Sequence, residues 1–326
     1  MEDNCRRDQE EVMSEVHLGC PPNLHGSHLS HFSFPFPPPS NEGTLLNARE
    51  ITLDEDGDLV LDRQSKPSSK CRMTIQHNIT STIPSVGLQV WRAELVLADF
   101  VLHTLFTMNI LDGIIALELG AGTGLVGILL ARVAKTVFLT DHGDDILNNC
   151  AMNVHLNAEI FENHQTSVYV RQLDWNKSWP PSDGPDELRS QESYKFSWTP
   201  SEVEEAEKAS LLFAADVIYS DDLTDALFNT LKILMAQGST KVLYLALEKR
   251  YNFSLDDLDV IANGYSRFQS YLRDAEECRH LENGLLPRFV GKQIDLADIP
   301  QYVREYDRQE SVEIWQIKYL SSDPAY

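Results

Sequence analysis

The residues able to do chemistry in this chain stand at the ends of four apolar runs. Glu118 interrupts the run 114–119, which leads into three alternating glycines, Gly120, Gly122 and Gly124. Asp141 follows the β-branched run 136–140, Asp174 follows the alternating run 167–173, and Asp216 follows the fully apolar run 211–215. Glycines permit positive φ and let a ligand approach the main chain without meeting a Cβ. The apolar spacing from Leu125 to Val133 predicts a helix, whose first amides and dipole would face something anionic. Asp141 lies 21 residues beyond Gly120, about where an acid at a strand tip accepts hydrogen bonds from a ribose diol. Such a turn suits a ligand carrying a ribose together with a carboxylate or phosphate.

A dinucleotide fingerprint would need its third glycine at position 125, which is Leu125. The pattern is instead Glu118-x-Gly120-x-Gly122-x-Gly124. That arrangement resembles motif I of the S-adenosylmethionine methyltransferases, in which the acid or nearby main chain meets the methionine ammonium. The bland alternative is an ordinary tight strand-to-helix turn, so the rest of the chain has to decide.

Positioning these residues takes an alternating set of elements. An amphipathic helix over 88–106 has Trp91 at its entrance, and a helix over 142–157 follows Asp141. Residues 176–208, rich in Ser, Pro, Glu and Trp, form an insertion that is long for a connection. Helix 223–235 and strand 242–247 come next, the latter closing on Glu248-Lys249-Arg250. A long helical stretch over 255–281 and strands at 288–294 and 312–320 complete the pattern. The count predicts a seven-strand, Rossmann-like, doubly wound and mostly parallel α/β sheet whose last strand pair is antiparallel. Gly120, Asp141, Asp174 and Asp216 then share one rim, where ligands bind in such sheets.

Composition narrows the partners. With 50 acids against 27 bases, the net charge of −23 disfavours direct nucleic-acid binding and favours a basic protein or peptide, unless the acidity only maintains solubility. No apolar run is long enough to span a bilayer, so no membrane partner is expected, and a monomer is expected. Residues 1–19 carry too many charges for a signal peptide. Five scattered cysteines without a CxxC pair give neither a disulfide framework nor a zinc site. An intracellular protein of the nucleus or cytoplasm is expected, without a clear basic import cluster. Residues 1–73, with PFPPPS at 35–40 and irregular histidines (His17, His25, His28, His31), read as a poorly ordered, acidic, Pro-containing region. LDEDGDL at 53–59 lacks the glutamate that a calcium loop needs at position twelve, so no metal is expected. The domain proper is expected to run from 74 to 326.

Trp91, ELGAGTG, Asp141, Leu173-Asp174-Trp175 and Ala214-Ala215-Asp216-Val217-Ile218-Tyr219 together resemble the family-16 protein methyltransferases. These are mainly lysine methyltransferases with a DxxY motif after the fourth strand. The resemblance implies S-adenosyl-L-methionine as cofactor and a non-histone protein substrate, of the chaperone, translation-factor or nucleic-acid-associated kind. It implies that Trp91 packs near the cofactor and that Glu118, Gly120, Ala121 and Gly122 serve its methionine part. Asp141 would then hold the ribose, Asp174 and Trp175 would lie by the adenine, and Ala215 would border the cofactor. Asp216 and Tyr219, the DxxY pair, would place the target lysine.

Methyl transfer from a sulfonium is an in-line displacement that needs mainly alignment. A carboxylate at Asp216 favours a lysine ammonium over the amine, so its expected work is binding and orienting rather than strong base catalysis. For Tyr219 the competing reading is a packed rim tyrosine. Competing functions are also open. Base-amino methylases carry Pro-Pro-aromatic where this chain has Asp216-Val217-Ile218-Tyr219, and a dehydrogenase lacks its third glycine and a proton relay. An adaptor that binds cofactor and methylates nothing is the serious alternative, with the N-terminal region and the insertion as its working surfaces.

Overall fold

Apolar alternation starts the fold earlier than composition indicates. In the computed structural model, the residues described are 11–14, 16, 26–36, 69–162, 165–181, 193–250, 252–254, 259–261, 264–273, 288–304 and 306–320. After the short strand β1 (Glu11–Met13), strand β2 (Ser27–Phe36) pairs antiparallel with β3 (Ser69–Asn78) along its whole length, from Ser27 opposite Asn78 to Phe36 opposite Ser69. Ser30, Phe32 and Phe34 alternate inward and are buried, the two rings stacking with centroids 5.7 Å apart. The expectation of a poorly ordered region through residue 73 is therefore corrected for 27–36 and 69–73. The partner strand lies about forty residues away in sequence, a pairing that local composition does not carry. His31 bonds Thr74 across this ribbon rather than joining a metal set, whereas His17, His25 and the acidic turn at 53–59 fall outside the described residues.

Strand β4 (Thr80–Thr82), paired with β1, leads through a 3-10 turn into helix α1 (Arg92–Thr107), with Trp91 as its N-cap residue. The alternation then runs β5 (Ile115–Leu119), α2 (Leu125–Leu130), β6 (Thr136–Asp141), α3 (Asp144–Leu156) and β7 (Ser167–Gln172). It continues with α4 (Pro200–Ala206), β8 (Leu211–Ala215), α5 (Asp221–Ala236) and β9 (Val242–Glu248). A small hairpin, β10 (Asn252–Ser254) with β11 (Asp259–Ile261), precedes α6 (Tyr265–Tyr271) and the two-residue strand β12 (Leu272–Arg273). Strands β13 (Arg288–Ile294) and β14 (Val312–Leu320) end the described chain.

The main sheet has the order β12-β13-β14-β9-β8-β5-β6-β7. Strands β5 to β9 are mutually parallel where they pair, and β14 runs antiparallel to both β9 and β13. This is the seven-strand, Rossmann-like arrangement expected, with the short β12 added at the edge. The long helix expected over 255–281 is corrected: within that span the described residues hold β11, α6 and β12. Gly264, at φ 75°, stands at the N-cap of α6. The described parts of the insertion are packed rather than loose. Trp198 stacks on Phe138 of β6 at 5.3 Å, and Thr199 with Glu202 caps α4 while Glu202 pairs with Arg171 of β7.

Candidate active site

The carboxyl ends of β5, β6 and β8, with the 173–176 turn after β7, open onto one cavity of about 290 Å³. All eleven residues singled out from the sequence line it: Trp91, Glu118, Gly120, Ala121, Gly122, Asp141, Asp174, Trp175, Ala215, Asp216 and Tyr219. The apolar wall comes from Ile83, Pro84, Val86, Ile146 and Leu173. Burial of β5 on both sides drives this convergence, because it brings its neighbours β6 and β8 to end at the same level.

The glycine turn is shaped by contact. A Cβ on Gly120 (φ 67°) would sit 2.6 Å from Val217 and 3.4 Å from Trp175, and one on Gly122 would meet the Gly87 carbonyl oxygen at 3.0 Å. Asp141 ties the turn down, accepting from the Gly122 amide at 2.8 Å through Oδ2 and from the His142 amide at 2.7 Å through Oδ1. Each oxygen keeps acceptor capacity for a further donor. Asp174 accepts from the Asn176 amide at 3.0 Å, which sets Trp175 in the turn beside Gly120.

One expectation changes here. Helix α2 has only six residues, and two of its first three amides are taken by carboxylates. Glu118 Oε2 accepts from the Gly127 amide at 2.9 Å, and Glu94 accepts from Leu125. Glu94 also accepts the Thr123 hydroxyl at 2.6 Å. Beside Asp174, four further carboxyl groups, Glu94, Glu118, Asp141 and Asp216, line the cavity. Burial raises the pKa of each, Glu94 to about 7 and Glu118 well above the usual carboxylate range, where the neighbouring Glu94 adds to the effect. No group of acids, histidines or cysteines able to hold a metal ion occurs among the described residues. The donor set fits a cationic ligand with ribose hydroxyls and an aromatic base, and S-adenosyl-L-methionine, with its sulfonium and ammonium, has those features.

Asp216 closes the site. It follows β8 with φ 55°, a left-handed conformation that Asp tolerates better than most residues and that turns the chain sharply after the strand. Oδ2 pairs with Arg250, whose guanidinium lies 4.5 Å from the centre of the Trp91 ring. Oδ1 is buried and has no hydrogen-bond partner among the described residues. Glu94 and Arg250 were missed as site residues in the sequence. Glu94 lies on the helix read only for its apolar face, although an acid three residues after the N-cap is a signal for capping. Arg250 is visible only as the end of a strand, and nothing local shows that it folds back onto Asp216.

The comparisons with known proteins agree with this geometry. A family model described as lysine methyltransferase matches residues 69–188. Methyltransferase-like protein 22 of Homo sapiens is 38% identical over 271 residues, covering 82% of this chain and 62% of that protein. Its Mus musculus counterpart is 37% identical, covering 82% and 64%. Protein N-lysine methyltransferase METTL21A of Xenopus tropicalis is 30% identical over 180 residues, covering 54% of this chain and 67% of that protein. The chain belongs to the lysine methyltransferase family. It spans less than two thirds of the length of the first two relatives. Asp216 and Tyr219 both line the cavity described above. Among the described residues, no helix is long and apolar enough to cross a membrane.

Proposed function

We propose that the chain transfers a methyl group from S-adenosylmethionine to the ε-amine of a lysine in a non-histone protein. The observation that carries this reading is Asp216 Oδ1, a buried acceptor at the cavity without a partner among the described residues. Leaving such an acceptor unpaired costs about 1–3 kcal/mol, and an amine donor relieves that cost. Tyr219 lines the same cavity and is 37% exposed. Burial, with the charges of Asp141 and Asp216, pushes its phenol up to about 12, so it stays protonated and orients rather than deprotonates.

Gly120, Ala121 and Gly122 would hold the methionine part of the cofactor, with Glu118 near its ammonium. Asp141 would take the ribose hydroxyls, Asp174 and Trp175 the adenine, and Trp91 and Ala215 would border the rest. When bound, the cofactor supplies an electrophilic methyl group on a positively charged sulfur. The lysine ammonium first gives its proton to solvent. Once deprotonated, the amine would be the nucleophile for that methyl group, and Asp216 and Tyr219 would hold it in line. Alignment dominates such a step, and Asp216 with Tyr219 is assigned to it. The net charge of −23 supports a basic substrate segment. The catalytic domain is proposed to include the β2–β3 ribbon as well as residues 74–326.

The test is transfer of labelled methyl from S-adenosylmethionine into a cell extract, with Asp216→Asn beside the wild type. Asn keeps the shape and tolerates the left-handed backbone. Discrete, nuclease-resistant protein bands from the wild type, strongly weakened with the variant, are expected. Cofactor binding with no labelled band from the wild type would favour an adaptor that methylates nothing.

A further inference from the structure

Two residues beyond β9, Arg250 folds back onto the rim of the sheet and takes only one oxygen of Asp216. The Asp216 carboxylate, which lines the cavity, is almost fully buried, while the Arg250 side chain is about one third exposed. The guanidinium lies over the Trp91 ring, 4.5 Å from its centre, a cation–π contact that holds it beside Asp216. The remaining oxygen, Oδ1, makes no hydrogen bond among the described residues, and the one main-chain donor that acts on this carboxyl is the Glu248 amide.

This arrangement meets a difficulty of the proposed reaction, on which the inference rests. A lone carboxylate beside a lysine stabilises the ammonium, which has no lone pair with which to attack. The other charged groups acting on Asp216 largely offset one another. Glu248 from the end of β9 is paired with Arg92 from α1, and both reach Asp216 electrostatically. Glu94 of α1 adds negative character, and Tyr219 in the same turn stays neutral because its pKa is raised to about 12. Arg250 is therefore the cation in direct contact with the carboxylate.

We propose that Arg250 is a positioning residue for the methyl acceptor: paired with Asp216 Oδ2, it offsets the carboxylate charge so that Oδ1 accepts a hydrogen bond from the lysine amine without holding it as an ammonium. Removing the guanidinium leaves the carboxylate free to bind the ammonium instead. Binding then persists while the reactive amine becomes scarcer at neutral pH.

The experiment measures the rate of labelled-methyl transfer into the strongest band of a cell extract from pH 6.5 to 9.5, with saturating S-adenosylmethionine. Wild type, Arg250→Gln and Arg250→Lys are compared, and S-adenosylhomocysteine binding is measured by calorimetry on each. Arg250→Gln is expected to move the rising limb up by about one to two pH units. It should then be roughly tenfold or more slower at pH 7 and approach the wild type at the alkaline end. Arg250→Lys, which keeps the charge and loses the guanidinium, should keep the wild-type limb at a reduced rate. Unchanged S-adenosylhomocysteine binding would show that the cavity is intact. A loss by Arg250→Gln that is equal at every pH, or no change at all, overturns the proposal. A wild type that labels nothing overturns the methyltransferase reading itself, a different result from an active wild type with an unshifted variant.

Discussion

Asn153 Nδ2 donates to the carbonyl oxygen of Thr123 at 2.9 Å, so the helix after Asp141 holds the glycine turn from behind. The same side chain exchanges hydrogen bonds with the main chain of Gln76, its Oδ1 accepting at 2.7 Å and its Nδ2 donating at 3.0 Å. Asn157, one turn further on, does the same for Thr74, and Asn149, one turn earlier, donates to the Gln76 carbonyl. Three asparagines at helical spacing thus pair with the open edge of β3 and join the ribbon to the cofactor turn.

Asn153→Ala should show this coupling. The residue is fully buried, and the change removes the Asn153 bonds to the Gln76 amide and the Thr123 carbonyl, while the Gln76 carbonyl keeps Asn149. A loss of about 2–4 kcal/mol is expected by urea unfolding, from the cost of buried unpaired groups. S-adenosylhomocysteine binding should weaken as well, since the turn loses its support. A variant as stable as the wild type would mean that the ribbon is not held through this helix.

Gly120→Ala addresses the turn itself. A methyl group there meets Val217 at 2.6 Å on a backbone with φ 67°, so either the turn or the Asp216 segment must move. Calorimetry should show S-adenosylhomocysteine affinity reduced by about tenfold or more, for a displacement worth at least ~1.4 kcal/mol. Binding at wild-type strength would remove the glycine turn from the cofactor site.

The extent to which this site could be read from sequence follows the range of the interactions involved. The strand tips carrying Gly120, Asp141, Asp174 and Asp216 were legible because each apolar run and its terminal acid are local, and the parallel sheet brings such tips to one rim. The β2–β3 ribbon was not, because Phe32 and Phe34 pair with a strand that lies about forty residues further along the chain. Arg250 was hidden for the same reason, being 34 residues from Asp216 in the chain. The helix 255–281 failed differently: its spacing is helical on paper, yet 259–261 pair as a strand and Gly264 at positive φ caps the short α6. Glu118 was found as a residue, yet its bond to Gly127 reverses the expected electrostatics of the turn.

That reversal makes the ligand-free protein sensitive to pH. Burial raises Glu94 from 4.5 to about 7, so between those values the folded state binds its proton more tightly than the unfolded chain does. Stability is therefore greatest below pH 4.5 for this group, falls as pH rises towards 7, and levels off above. The slope for one such group is at most about 1.4 kcal/mol per pH unit. Glu118, Asp141 and Asp216, also raised, act in the same direction. Glu94→Gln should flatten the decline between pH 4.5 and 7 in urea titrations. A cationic ligand should release protons on binding in that range, detectable by calorimetry in two buffers of different ionisation enthalpy. An unchanged pH slope in Glu94→Gln would show that this carboxyl is already ionised without ligand.

A second buried acid, Asp99 of α1, anchors the segment that leads into β14. Its Oδ1 accepts from the amides of Tyr302 at 2.7 Å and Val303 at 2.9 Å, and its Oδ2 accepts from Tyr306 and Arg308, each at 2.6 Å. The carboxylate is fully buried, so Arg308→Leu leaves a charge without its counter-ion and should cost about 3–5 kcal/mol. Asp99→Asn in the same chain removes that charge while its carbonyl oxygen still accepts the two amides. The double variant should therefore be more stable than Arg308→Leu alone in urea unfolding. If the second substitution lowers stability further, the loss in Arg308→Leu comes from packing and not from the stranded carboxylate.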